Sequence, residues 1–559
     1  MNQSNTSVLF GHCVATAILT LVLSVSIGIA TLNYFETWYV ARNLFNWAVS
    51  SLLCHIIGSP IPDFPIIPSP ITHGAIGILL LSSITSLLLV WYFRIRNYSC
   101  SLFNHLDGPQ LLSYKDAIQH YRKTTKGLSK VGLRIHPLLA LPSTFEIANI
   151  LVWGMQGSGK SNLIKSLVNQ LKKRNERTAI YDLKGEYTEL FFDETSLLLS
   201  PVDERTIYWN LGKDITDLGK AEAFAESVIS SSTTQESFWV DSARVVLIGV
   251  ISSLINQQQP WSWRELAEKL FCSDAKLTAL LEKHYPQAAT LITPNDKTTT
   301  SIRSVIATQL FWVRNIDKSN LNSSSDFSVS DWLLDDIKKT LIVKGDINAP
   351  IMSQALVTAL LSVVSNFVLS RSDDEATPIW LVVDELSTIN RSKSFEHWLA
   401  QGRSKGCRAI AGIQNLSQLY SIYGKEDAST LLGLFGNIVT FRLAVNGGSR
   451  EVASKAFGKR RIEYRSNSIS YQGKNSYSLP QENIHVVKPE DISALPQPSL
   501  KKGIEGYLQL SGLNAAYRLR WPINHGLKKV TQASITPRKK TTKNEKNPIN
   551  RLNKRRPPC

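Results

Sequence analysis

The chain is poor in the residues that staple small domains or hold metals. Its six cysteines form no CxxC pair and its ten histidines are not clustered. That excludes a disulfide scaffold and argues against a zinc or iron–sulfur module. Acidic side chains are outnumbered: 45 Asp+Glu stand against 62 Lys+Arg, a net +17. Such a balance points toward nucleic acid or an anionic membrane surface as a partner. The chain is not a mainly disordered or fibrous one, because 43% of it is hydrophobic and only 19% charged. At roughly 150 residues per domain, the 559 residues imply about three or four folded units.

Charge is missing from two long stretches near the N-terminus. No charged side chain precedes Glu36, and residues 8–32 are largely apolar. Residues 64–93 are also uncharged, most apolar from Gly74 to Phe93. Each run is long enough to cross about 30 Å of hydrocarbon. Tyr34, Trp38 and Tyr39 flank the first, and Trp91 and Tyr92 close the second, as interfacial anchors do. The competing readings are a cleaved signal peptide and buried core helices. A signal peptide needs a basic start, which Met1 to Ser7 lacks, and core helices this long without one charge are rare. Two transmembrane helices are therefore expected. The loop 31–73 holds only Arg42 as a basic residue, whereas Arg94, Arg96, Lys115, Arg122, Lys123 and Lys126 follow the second run. The positive-inside rule then places both termini in the cytoplasm. Within the loop, 44–57 reads as too short to span and suited to the interface.

A short apolar strand, 147–153, leads into Gly154-Met155-Gln156-Gly157-Ser158-Gly159-Lys160-Ser161, which is G-x-x-x-x-G-K-S in full. Leu163, Ile164, Leu167, Val168 and Leu171 follow at helical spacing, so strand, glycine loop and helix come in the order the motif requires. Glycines let backbone N–H groups turn inward around phosphate oxygens beside a helix N-terminus. Lys160 is placed to reach the β- and γ-phosphates, and Ser161 offers a hydroxyl to Mg²⁺. The sequence thus implies ATP and Mg²⁺ as cofactors.

The other half of such a site is an apolar strand ending in acid, and 379–383 followed by Asp384-Glu385 fits it. Asp384 would hold Mg²⁺ through water and Glu385 would polarise the attacking water. Taken alone, this pattern is more often a strand with an exposed acidic turn. The additional glutamate favours an ATP motor over a kinase or switch GTPase. Two further strands, 178–181 ending at Asp182-Leu183-Lys184-Gly185-Glu186 and 408–413 ending at Gln414, would deliver polar residues to the same sheet edge. Gln414 either senses the γ-phosphate or attacking water, or is an ordinary loop glutamine. Asp182 and Lys184 are equally well read as a surface ion pair.

Together these features resemble the TraG/TraD-type coupling proteins of conjugation and type IV secretion. The resemblance rests on GMQGSGKS, YDLKGEYTELF, SFWVDSARVVL, LVVDELSTI and QGRSKGCRAIAGIQNLSQL in that order, covering about 147–521, with the two N-terminal runs matching by layout. It implies an α/β fold: a RecA-like P-loop motor domain with an inserted all-α domain, preceded by two transmembrane helices. Periodicity independently gives helices at 218–229, 238–256, 263–271, 275–284 and 301–314, with β-type runs absent between about 214 and 320. The expected domains are a membrane anchor (1–96), the start of the nucleotide-binding domain (97–213), the all-α insert (214–325), the rest of the motor (326–526) and a disordered basic tail (527–559).

The resemblance further implies a DNA-stimulated ATPase in a bacterial inner membrane, delivering a DNA–protein substrate to a secretion channel. Its expected partners are five further copies in a hexamer, DNA bound non-specifically as single or double strand, a relaxase in its relaxosome, and the channel components. In such rings a basic residue enters the neighbour's site, and Arg403 occupies that position, on a helix between the Asp384-Glu385 and Gln414 strands; a solvated surface arginine is the plainer reading. Lys455, Lys459, Arg460, Arg461 and Arg465 are either a pore contact or a charged solvated loop. From Leu527 onward eleven Lys/Arg accompany one acid, Glu545, which reads as a flexible arm for DNA, a partner's acidic face or the inner leaflet. Two rivals remain: a chromosomal or packaging-type DNA translocase, and a receptor that recruits protein effectors and uses nucleotide only to assemble.

Overall fold

A computed structural model describes residues 38–57 and 103–535, the latter with short breaks, together with a few isolated positions. The two expected membrane spans, 8–32 and 64–93 apart from the isolated Ile84, and tail residues 536–559 lie outside the described residues. The chain divides into two compact units, Met1–Leu106 with Ile462–Glu482, and Asp107–Arg461 with Asn483–Cys559.

In the first unit, helix α1 (Trp38–Ile57) runs for 20 residues. The stretch expected to be a short interfacial segment from residue 44 is therefore a longer helix. Trp38, Tyr39, Val40 and Ala41 carry the apolar helical pattern back across Arg42. Phe45 and Leu52 on it are exposed. The same unit contains an antiparallel ribbon, Ser466–Ile469 with Asn475–Ser478.

The second unit is built on a ten-stranded sheet. In chain order its strands are β1 (Gln110–Ser113), β2 (Ile150–Trp153), β3 (Arg177–Asp182), β4 (Ser196–Leu199), β5 (Thr340–Lys344), β6 (Ile379–Val383), β7 (Cys407–Ile413), β8 (Asn437–Thr440), β9 (Ile504–Gln509) and β10 (Ala515–Trp521). Their spatial order is β1-β10-β9-β8-β2-β7-β6-β3-β5-β4. From β8 to β4 neighbouring strands are parallel, and β9 joins antiparallel to β8. Strands β2, β3, β5 and β6 are buried at every position. Helices cover both faces, which is why these strands read as unbroken apolar runs rather than as alternating ones.

Helix α2 (Lys160–Lys173) follows β2, and the short α3 (Glu186–Phe191) follows β3. A long helical stretch then interrupts the sheet. It leaves at Tyr208–Trp209 and returns at Asp326–Phe327, two short strands that pair in parallel with each other. Between them lie α4 (Leu218–Val228), α5 (Ser237–Asn256), α6 (Trp263–Leu270), α7 (Asp274–His284) and α8 (Lys297–Gln309). The single helix expected at 301–314 is two elements: α8 starts earlier because the Asp296 side chain accepts from Thr298 N–H, and a 3₁₀ turn, Phe311–Ile316, completes it. Trp263 contacts both Trp209 and Trp312 with ring centroids 5.4 Å apart, at the centre of this helical core. Buried Asp214 closes the insertion. It accepts from Trp209 Nε1 at 2.8 Å and from the N–H groups of Val329 and Ser330 at 2.9 and 3.0 Å, joining the start of the helical run to its end.

Two described helices are long and apolar enough to cross a membrane: 238–256, within α5, and α9 (Pro350–Leu369). Most of each is packed inside the protein, and α9 lies against α4. The helical insert thus shares one continuous apolar core with the sheet. A helix apolar all round marks burial as readily as it marks a bilayer.

Candidate nucleotide-binding site

The glycine loop is held by the strands on either side of β2. Gly154 N–H donates to the Ile413 carbonyl of β7 at 3.0 Å, and Met155 N–H donates to the Arg442 carbonyl just past β8 at 3.0 Å. Ser158 N–H returns to Met155 O at 3.1 Å. Gly157 and Gly159 take φ of 73° and 103°, a left-handed backbone that side chains resist. Gly154 is packed closely for a different reason: a Cβ there would lie 2.2 Å from Ser158 Oγ, so that hydroxyl would have to turn away. Ser158 itself is buried, and its hydroxyl has no hydrogen-bond partner.

Lys160 opens α2 and is only 8% exposed. Its Nζ lies 3.0 Å from Asp384 Oδ1 and 3.7 Å from Glu385 Oε2, and it also donates to the Asp384 carbonyl. Ser161 Oγ donates to Asp384 Oδ2 at 2.9 Å. The structure therefore brings Lys160, Ser161, Asp384 and Glu385 together from the two ends of sequence that suggested them. Strand β7 lies between β2 and β6, and it delivers Gln414 to the same edge. Gln414 N–H donates to Glu385 Oε1 at 3.3 Å, and Ser387 Oγ donates to the same oxygen at 3.0 Å. Burial raises the Glu385 carboxyl above its ordinary range, opposed first by the charge of Lys160.

These residues line a cavity of about 700 Å³, together with Met155, Gln156, Gly157, Gly159, Lys184, Glu186 and Tyr187. The groups fit a nucleoside triphosphate with Mg²⁺. A glycine cradle, a buried cation and a paired hydroxyl and carboxylate at Ser161 and Asp384 all meet at one sheet edge.

Arg403 sits differently from expectation, and Asp182, at the cavity edge, is decided between its two readings. Arg403 is not on a helix: α10 (Lys393–Ala400) ends before it, and Arg403 is exposed in the turn leading into β7. Gly402 is accommodated in that turn because it lacks a Cβ, which would strike Cys407 at 2.4 Å. Cys407 pairs with Ile379 at the opposite end of β6 from Asp384, so five strand residues, about 16 Å, separate Arg403's turn from its own chain's acids. Asp182 is no surface ion-pair partner. It is buried, and its oxygens accept from Gly185 N–H, Thr188 N–H and Thr188 Oγ1 at 2.7–2.8 Å, holding the start of α3. Lys184 is exposed at the cavity rim. In the basic cluster Lys455, Lys459 and Arg461 are exposed, Arg460 is half-buried, and Arg465 lies outside the described residues.

Residues 133–517 match the family model for the type IV secretion-system coupling protein DNA-binding domain. The chain belongs to that coupling-protein family. It is 23% identical over 457 residues to the coupling protein TraD of Escherichia coli (strain K12), covering 80% of this chain and 63% of TraD. The chain therefore spans under two thirds of the length of that curated relative. Its fold is similar to the unbound structure of the bacterial conjugative coupling protein TrwBdeltaN70, with a TM-score of 0.67 and 25% identity over 77% of this chain and 97% of that one. A structure of TrwB in complex with ADP and Mg²⁺ is similar at a TM-score of 0.65 and 24% identity, covering 78% and 99%. The RecA-like sheet with its all-α insertion is the fold of this family.

Sequence reading missed Gly412 and Tyr187. Gly412 lies inside the apolar strand β7, where a glycine signals close backbone approach. A Cβ there would stand 2.0 Å from the Asp384 carbonyl and 2.9 Å from Lys160 Nζ. Gly412→Ala is therefore expected to part β6 from β7, to cost about 1–3 kcal/mol of stability as overpacking does, and to weaken MgATP binding at least about tenfold. Calorimetric titration beside a thermal melt checks it, and wild-type affinity would contradict the position of Lys160. Tyr187 is buried in the cavity wall, with its hydroxyl against Asp384. Burial, with Asp384 and Asp182 nearby, pushes its pKa well above the ordinary value, so it stays a neutral donor on the metal side of the cavity.

Proposed function

We propose that this chain is a membrane-anchored ATPase coupling protein, which delivers a DNA–protein substrate to a type IV secretion channel and drives DNA transfer by ATP hydrolysis. The observation that carries the reading is the convergence of Lys160, Ser161, Asp384, Glu385 and Gln414 at one cavity of a RecA-like sheet. The nucleotide-bound structure of the related TrwB supports ATP and Mg²⁺ as the cofactors. Mg²⁺, when bound, neutralises charge on the transferring phosphoryl group. The residues divide the remaining work. The backbone N–H groups of 154–161 cradle phosphate oxygens, and Lys160 supplies positive charge where negative charge develops. Ser161 and Asp384, already paired with each other, would hold the metal. Glu385 accepts the proton of the attacking water, a role its raised pKa favours. Gln414, tied to Glu385, orients that water.

Arg403 completes the site of an adjacent copy in a ring of six. Its distance from its own acids supports action across an interface rather than within the chain. The relaxase, the channel components and the bacterial inner membrane complete the proposed setting, with both termini cytoplasmic. The family's DNA-binding domain description supports DNA as the substrate, held mainly through phosphate contacts. The test is ATP turnover with and without DNA. Stimulation that fades as salt rises is the expected result, and turnover indifferent to DNA would remove the coupling role in favour of a nucleotide-gated receptor.

A further inference from the structure

The last described residues do not form the free arm that composition suggested from 527. They run back over the motor and fasten to the β3–α3 corner. Val530 N–H donates to the Glu189 carbonyl at 2.8 Å, and Lys529 Nζ pairs with Glu189 Oε1 at 2.8 Å. Arg205 Nη1 donates to Thr531 Oγ1 and to the Gln532 carbonyl, both at 3.0 Å. Ala533 sits against Gly185, where a Cβ would meet its carbonyl oxygen at 2.9 Å. Ile535 is bonded in both directions: its N–H donates to Asp203 Oδ2 at 3.2 Å, and its carbonyl accepts from Glu204 N–H at 2.9 Å.

The anchor for this segment is itself rigid. Asp203 is fully buried and pairs with Arg205 and with buried Lys344, at 2.8 and 2.9 Å. Burial alone would raise the Asp203 carboxyl, but Arg205 and Lys344 hold it down to about 2. Lys344 ends β5 directly beside Asp182 at the end of β3. The start of α3 is thus gripped from inside by Asp182 and from outside by 529–535. Between the two grips, α3 turns Glu186 and Tyr187 toward the nucleotide cavity, with Glu186 paired to Lys165 of α2.

We propose that residues 529–535 are a positioning brace for the nucleotide site, holding α3 so that Glu186 and Tyr187 form the metal-side wall beside Asp384. The proposal rests on the nucleotide-binding reading above and adds a part of the chain to that site. Without the brace, α3 is a six-residue helix with one inner cap, too short to be stable by itself. Its local opening would then cost less free energy, and ligand binding would have to order it first.

The test uses the full chain carrying Lys529→Glu with Val530→Pro. Both positions are exposed, so core packing is spared, while the charge pair reverses and one N–H donor is lost. In nucleotide-free protein, amide exchange at 186–191 should quicken by about tenfold, and affinity for MgADP should fall by roughly 3- to 10-fold. ATP turnover should show a raised KM with kcat near wild type. Lys529→Arg alone should leave both readouts near wild type, and neutralising Arg538, Lys539 and Lys540 to glutamine should change neither. Unchanged exchange together with unchanged MgADP affinity would overturn the brace, as would the tail-neutralised chain reproducing the loss. A wild-type chain that fails to bind MgADP would overturn the nucleotide reading instead, leaving the exchange comparison to decide the brace by itself.

Discussion

A Lys160→Ala chain should lose at least about 10³-fold in ATP hydrolysis, because two separate contributions vanish with one ammonium group. The first is direct: the buried cation aimed at the phosphates is gone, and such groups gain strength where water is excluded. The second acts through Glu385. Lys160 is the main influence opposing the rise that burial imposes on that carboxyl, and it also lies 3.0 Å from Asp384. Removing it leaves two adjacent carboxylates with no cation between them, so Glu385 takes up a proton more readily and is less often in the ionised form that can accept one from water. Lys160→Arg should not rescue, since a planar guanidinium does not replace a point charge wedged between Gly412 and the Asp384 carbonyl. Initial rates by phosphate release, beside circular dichroism to show retained fold, check the outcome. Turnover within tenfold of wild type would sink the site assignment.

The second large effect is a recovery. Arg403→Ala and Glu385→Gln should each be nearly inactive alone, since losing a transition-state arginine costs on the order of 10³-fold or more. Mixed in one ring, they should regain activity. An Arg403→Ala subunit keeps its own Glu385 and can borrow Arg403 from a Glu385→Gln neighbour. In a randomly mixed ring about one interface in four is then complete, well above the residual of either variant. Were Arg403 to serve its own chain, every site would carry one lesion and mixing would change nothing. DNA-stimulated hydrolysis with confirmed co-assembly decides between the two outcomes, at a subunit ratio where wild type diluted with inactive chains still turns over.

The parts of the site that were legible in sequence are those whose chemistry demands particular residues at fixed spacing. A phosphate loop needs glycines, a lysine and a hydroxyl, and β6 needs an apolar run ending in acids, so both could be read with no knowledge of their neighbours. The mixed order of the sheet was not legible, because the pairing of β7 between β2 and β6 is long-range and leaves no periodic trace. Asp182 was left between two readings for a related reason. A strand-ending aspartate looks the same whether it meets ligand or caps the next helix, and the difference lies in Gly185 and Thr188 folding back onto it. Arg403 was put on a helix because α10's pattern runs up to it, yet the helix ends at Ala400 and the chain turns through Gly402, packed on Cys407, into β7. The segment at 529–535 was hidden most thoroughly. It is held largely by backbone groups, which every residue possesses, and by Arg205 and Glu189, hundreds of positions away in the chain.

The two bonds that hold the phosphate loop, Gly154 to Ile413 and Met155 to Arg442, have a mechanical consequence. They stitch the loop to β7 and to the chain just beyond β8, so tension applied to the segment between those strands reaches the loop before it reaches α2. Each stitch is one hydrogen bond, worth about 1 kcal/mol net, whereas the sheet beneath is held by a full ladder of them. Strain on that segment would therefore loosen the phosphate loop before it parted the strands beneath.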